Sequence, residues 1–475
     1  MRPLTRIAPL AVLVPALTLA ADLNALPDST AADRTSVSVT VYNQNLALVR
    51  EVRNLRIDKT GIGRLRFMDV PSAINPRTVH LQPLAALGPQ VFEQNYEFDL
   101  ISPEKLMEKY VGKEVEIIEQ AQDLTTRTVK ATLLSMNGGA VYKVGDRIVI
   151  GQGGKVTLPD LPADLVARPT LVWTVNAPKA GNSAAEASYL TDGMGWSADY
   201  VAVVDADDAK AGLSAWVTID NRSGATFQDA TLKLVAGDVR RIQPQQLMAM
   251  EEMAYRRADA LAKAPSFQEE GFFEYHLYTL DRPTTIKDNQ TKQLSLLTAS
   301  NVPVVKKLLL VGNPGWYRSQ VGTVTQSEKV AVTLELTNAQ SAGLGMPLPK
   351  GIVRVYKKDK SGAEQFVGED SIDHTPKDEK VRLHVGDAFD VVADRTQSDY
   401  RVLSPRESES SWTVSIRNRK DEDVTVTVRE PVGGDWRLVS SSLPGKKVDA
   451  GTLEFEVPVP KGKEVKLTYR VNVRW

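Results

Sequence analysis

The feature that most constrains this chain is a period-two alternation of apolar and polar residues that recurs from Ser36 to the last residue, Trp475, as in SVSVTVYNQNLALVREVRNLRI. Side chains on a strand point alternately to opposite faces, so such a segment buries one face of a sheet and presents the other to water. Gly, Asn, Asp and Pro interrupt the alternation at short intervals, the spacing of hairpin-linked strands. The expected fold class is mainly β: several antiparallel β-sandwich or barrel domains, with one inserted amphipathic helix and a C-terminal immunoglobulin-like sandwich.

A chain of 475 residues exceeds what one core serves, since single cores stop growing at roughly 250–300 residues. We expect an N-terminal β domain over 36–112. It includes a short helix at SPEKLMEKYVGKEV, where Ser102 is the N-cap and Pro103 the first helical residue. Residues 113–165 read as a small β-barrel or meander of four short strands. Residues 166–396 read as a central β-sandwich, and 397–475 as the C-terminal sandwich, with a linker near Gln397–Glu409. Within the central region the period changes over 244–264, where QQLMAMEEMAYRRADALAKA carries Leu247, Met250, Met253, Ala254 and Leu261 at helical spacing.

Residues 1–20 have the layout of a cleavable secretory signal peptide. Arg2 and Arg6 precede an apolar run from Ile7 to Leu19, and small residues follow before Asp22. The run is too short to cross a bilayer, which takes roughly 20 residues. We therefore expect a periplasmic or secreted protein with no transmembrane segment after cleavage. The chain has no cysteine, which excludes disulfides, thiol catalysis and thiolate-held metals and suits a bacterial periplasm better than a eukaryotic secretory route. With 58 basic residues against 59 acidic ones there is no basic field for phosphates, so nucleic acid is not an expected partner.

No motif announces chemistry. The histidines His80, His276, His374 and His384 stand apart with no zinc-ligand spacing. No serine occupies a GxSxG elbow, and no glycine-rich loop opens a helix. We expect no cofactor and no metal. Asp205, Asp207 and Asp208 suggest clustered oxygens for calcium but read better as a polar hairpin turn. Met248, Met250 and Met253 suggest a thioether site but read better as an apolar stripe. Trp216 and Trp412 alternate within strand patterns and are expected in cores. Trp196 follows two glycines in DGMGWSADY and is expected on a surface loop. The residues singled out for binding are Trp196, Asp199, Tyr200, Met250 and Met253. Glu274 and Asp199 are the acids considered for a glycosidase-type carboxylate pair.

The segments SYLTDGMGWSADYVAVVD, LSAWVTIDNRSGATFQDATLKLVAGDV, PLPKGIVRVYKKDKSGAEQFVGEDSIDHTPKDEKVRLHVGDAFDVVADR and EPVGGDW resemble the bacterial family that carries the domain of unknown function DUF4139. Related proteins with a sandwich and a helical insert are named mucoidy inhibitor-like. The resemblance implies an envelope location and supplies no catalytic residue. The expected function is a non-enzymatic binding or structural protein of the cell envelope. It would engage an envelope protein or polysaccharide through β edges, loops and the inserted helix. The alternatives are a polysaccharide hydrolase with a carboxylate pair, and a periplasmic metal-binding protein.

Overall fold

The computed structural model describes residues 24–97, 101–120, 126–151, 154–162, 165, 168–237, 239, 267–272 and 275–475. Residues 1–20, read as a signal peptide, residues 244–264, read as a helix with Met250 and Met253, and Glu274 lie outside the described residues. The described chain is overwhelmingly strand, with a single α-helix, as the alternation dictates. It divides into two compact units, one of residues 1–37 and 50–189, the other of residues 38–49 and 190–475.

The first unit holds a four-stranded sheet in the order Asn24–Ala25, Gly61–Met68, Thr170–Ala177, Gln90–Glu97. Trp173 on its central strand is fully buried, packs on Phe67 with ring centroids 5.0 Å apart and donates from its indole nitrogen to Gln94 Oε1 at 2.8 Å. Residues 114–157 form a separate five-stranded sheet. The strands Arg147–Ile150, Val141–Val144, Thr126–Ser135 and Glu114–Gln120 lie side by side, and Lys155–Thr157 returns to the outer edge of Glu114–Gln120. The fifth strand, Lys155–Thr157, goes beyond the four read from the sequence. The helix forms as read, at Pro103–Lys109, with the Ser102 hydroxyl accepting from Lys105 N at 3.2 Å.

The second unit begins with a sandwich. One layer runs Gln290–Pro303, Lys210–Asn221, Met194–Val204, Gly351–Lys358, Glu364–Ile372, with only Met194–Val204 and Gly351–Lys358 parallel. Strands Phe227–Ala236 and Tyr275–Leu280 belong to the other layer, where Phe227–Ala236 also pairs in parallel with residues 38–42. Gly193 makes the entry to this unit possible. Its φ of +82° lies in the left-handed region, and a Cβ there would sit 2.7 Å from the Arg222 carbonyl oxygen.

Nine strands between Val305 and Arg474 build a nearly closed, barrel-like sheet. Its interior is packed by Trp412, Val414, Ile416, Phe455, Val457, Leu467 and Val471. The expected boundary at 397 does not exist in this sheet. Residues 380–404 are one strand, whose half from Val391 to Ser404 pairs with Glu407–Asn418, so Gln397–Glu409 is a hairpin and not a linker. The ladder continues through two register shifts, at Gln397/Asp399 and Val402/Ser404, and a backbone engaged on both sides of them has no reason to act as a joint.

Three asparagines turn the chain at the ends of strands in the same way. Asn221 donates to the carbonyls of Ala225 and Lys287 and accepts from Ser223 N. Asn338 donates to Met346 O and Pro376 O and accepts from Gly345 N. Asn418 donates to Glu422 O and Val459 O and accepts from Lys420 N. Each is fully buried, and each supplies the donors and acceptor that a buried corner would otherwise leave unmade.

Candidate functional site

Three concave surfaces stand out among the described residues, one of them a hollow of about 330 Å³ lined by Val305, Leu336, Ala339 and Ala342, where Glu335 is already held by Lys307 and Arg382. In the first unit a cleft of about 450 Å³ lies beside the helix, lined by Leu106, Met107, Met136, Ala140, Val156 and Leu158. It is apolar, with Glu104 as its one charged wall. In the second unit a cleft of about 350 Å³ combines an apolar floor with convergent charges. Ligand sites are typically apolar hollows with a few placed polar groups, so this cleft is the candidate site.

Its cationic end is built by three separate segments. Asp208 stands in the hairpin turn between Met194–Val204 and Lys210–Asn221, with φ +57°. The turn is pinned by Asp205, whose Oδ1 accepts from Ala209 N at 2.9 Å and Lys210 N at 3.2 Å. The run Asp205, Asp207, Asp208 is therefore the polar hairpin turn anticipated for it. Lys306, from Val305–Val311, donates to Asp208 Oδ2 at 2.6 Å. Lys357, from Gly351–Lys358, donates to Asp208 Oδ1 and to Ala206 O. Partial burial pushes the Asp208 carboxyl up, but the hydrogen bonds and charges of Lys306 and Lys357 outweigh it and hold it below the ordinary carboxylate value.

The floor is formed by Val204, Val332, Leu334 and Val355, and Val367 flanks it. The far mouth is shaped by an irregularity in strand Lys380–Ser404. Lys329 pairs with Val392 but the next residue, Val330, pairs with Ala388, so residues 389–391 bulge out of this ladder. Phe389 sits in that bulge and is 93% exposed, with Asp387, Asp390 and Lys420 around it. Bulges re-aim side chains at strand edges and near functional sites.

Of the residues singled out for binding, Trp196, Asp199 and Tyr200 do not line this cleft, and Met250 and Met253 lie outside the described residues. Trp196 is a correction: it stands within strand Met194–Val204, is 6% exposed, and donates to Val235 O at 3.1 Å while its ring meets Tyr278 edge-on. The two glycines before it permit a kink and leave the strand intact. Tyr200 is buried on the same face and donates to Pro349 O at 2.7 Å. Asp199 points the other way and accepts from Arg354 Nη1 at 3.0 Å and the Thr218 hydroxyl at 2.9 Å. Trp412 is in the core as expected, but Trp216 is 41% exposed, because Ala215 and Val217 occupy the inward positions on its strand.

Two buried polar networks lie elsewhere. Glu51 accepts from Arg34, from Arg53 Nη2 at 3.1 Å and from the Tyr189 hydroxyl at 3.0 Å. The Arg53 guanidinium lies 3.6 Å over the Phe67 ring. In the nine-stranded sheet Glu430 accepts from Arg395 and from the Tyr317 hydroxyl at 2.9 Å. Both carboxylates are fully buried and engaged by cations and tyrosines, which is the chemistry of structural ion pairs. No group of three His, Asp or Glu placed to hold a metal occurs among the described residues, and no helix there is long and apolar enough to cross a membrane.

No curated protein matches the chain. Residues 185–475 match the family described as a domain of unknown function, DUF4139, and this match takes in every strand that lines the cleft. The chain belongs to the DUF4139 family.

Proposed function

We propose that this is a non-catalytic binding protein of the bacterial cell envelope, and that it holds an envelope protein or polymer at the cleft bounded by Lys306, Lys357 and Phe389. The observation that carries this reading is Phe389, an aromatic ring 93% exposed at the mouth of an apolar hollow. A large side chain held so fully in water is a cost to the isolated chain and a contact for a partner. The export layout of residues 1–20 and the absence of cysteine support the location. The fully buried carboxylates are held by cations, which favours binding over hydrolysis.

Affinity capture from envelope extract with the full chain and with Phe389→Ser tests the proposal. The expected result is a component retained by the wild-type chain, lost by the variant and recovered without shortening. Retention by both chains, or release of shortened polysaccharide, would overturn it.

A further inference from the structure

We propose that the moiety seated in this cleft is an extended aliphatic chain ending in one anionic oxygen group, with a carboxylate the simplest case. The head lies on Lys306 and Lys357, and the chain runs along the floor toward Phe389. This rests on the cleft being the binding site and names what it takes.

The head group follows from charge and donor count. An ammonium carries three N–H donors. Lys306 commits one of them to Asp208, and Lys357 commits two, to Asp208 and Ala206 O. One carboxylate between two ammonium groups leaves this end with a net positive charge and unspent donors, the complement of a monoanion. The opposite mouth has no such excess, with Asp387 and Asp390 against Lys420 and Lys329, the latter 3.8 Å from Asp387. An anionic head is thus directed to the lysine end.

The tail follows from the walls. Val204, Val332, Leu334, Val355 and Val367 offer aliphatic carbon between the two ends. Among the described residues the one aromatic ring lining the cleft is Phe389 at its mouth, and none lies along the floor where a sugar or base would stack. Lys306 pairs with Leu334 and Ala388 with Val330. The floor between the ends therefore covers four residues of strand Thr323–Thr337, roughly 13 Å at the rise of an extended chain. A hollow of about 350 Å³ falls at the small end of ligand sites.

Isothermal titration of the full chain with decanoate, decanol and acetate separates head from tail. Decanoate should bind at one site, decanol at least tenfold more weakly, and acetate without measurable heat. Lys306→Gln with Lys357→Gln should weaken decanoate at least tenfold and leave decanol unchanged. Because that pair leaves Asp208 without its cations, the triple variant adding Asp208→Asn repeats the measurement with the charge balanced. Phe389→Ser, at an exposed position that folding does not need, should weaken decanoate and decanol alike. Equal affinity for decanoate and decanol, no heat with decanoate, or lysine variants that bind as wild type would each overturn the proposal. If decanoate fails while the envelope component is still captured and still lost in Phe389→Ser, the ligand class falls and the binding function stands.

Discussion

The Arg395 guanidinium donates to the Glu430 carboxylate inside the nine-stranded sheet, where neither side chain has any solvent exposure. The pair is finished by tyrosines. Tyr317 donates to Glu430 and shares a 3.0 Å hydrogen bond with the Tyr469 hydroxyl, and burial, reinforced by the Glu430 charge, pushes both phenols well above their ordinary value. Desolvating two charges costs about as much as their attraction returns, whereas stranding one of them is expensive. Glu430→Leu or Arg395→Met alone should therefore lower stability by about 3–5 kcal/mol. The double variant Arg395→Met, Glu430→Leu should cost less than the sum of its parts. Denaturant unfolding of the four proteins gives the comparison, and strict additivity would contradict it.

Gly312 faces the same carboxylate. A Cβ at this position would fall on Glu430 Oε2, and that oxygen is held by Tyr317. Gly312→Ala should destabilise the chain by about 1–3 kcal/mol, the usual cost of overpacking. A melting temperature equal to wild type would show that the carboxylate moves aside freely.

The asparagine corners make a second stability test. Asn338→Ala removes two short donations, to Met346 O at 2.8 Å and Pro376 O at 3.0 Å, and strands Gly345 N. Each buried group left unmade costs about 1–3 kcal/mol. The variant should unfold at markedly lower denaturant, whereas Asn137→Ala on an exposed turn should not.

Asp208 should make stability depend on acid. Its folded pKa is depressed by Lys306 and Lys357, so its contribution is complete above the unfolded-state value of about 3.9. It is lost as pH falls through the lower folded value. The stability difference between wild type and Asp208→Asn should accordingly be largest at neutral pH and shrink below about pH 3.9. A difference that stays constant through acid would show that the lysines do not hold this carboxylate.

The two tryptophans at 196 and 216 show what the sequence allowed and what it withheld. Alternation is a local property, and it sufficed for the β class, for the meander over 114–157 and for the helix capped by Ser102. It fixes which residues share a face but not which face is inward. That parity is reversed at Trp216, whose neighbours Ala215 and Val217 fill the core, and at Trp196 the strand runs on although the glycines before it resemble a loop. Trp196→Ala should cost about 3–5 kcal/mol, and Trp216→Ala under about 1 kcal/mol.

The cleft was not legible for a different reason. Asp208 is 98 residues from Lys306 and 149 from Lys357, and Phe389 comes from a further strand. Only the folded sheets bring them together. The local signals were present, in the turn ADDAKAG and the lysines of VVKKLLLV and VYKKDK, but each taken alone is an ordinary solvated charge.

If the Phe389 mouth contacts an envelope partner, a photoreactive group placed there captures that partner. A benzophenone-bearing phenylalanine at position 389 is compared with the same group at Phe366, which is also exposed and apolar. A discrete adduct with an envelope component is expected from position 389 and none from position 366. No adduct at 389, or the same adducts from both positions, would contradict it.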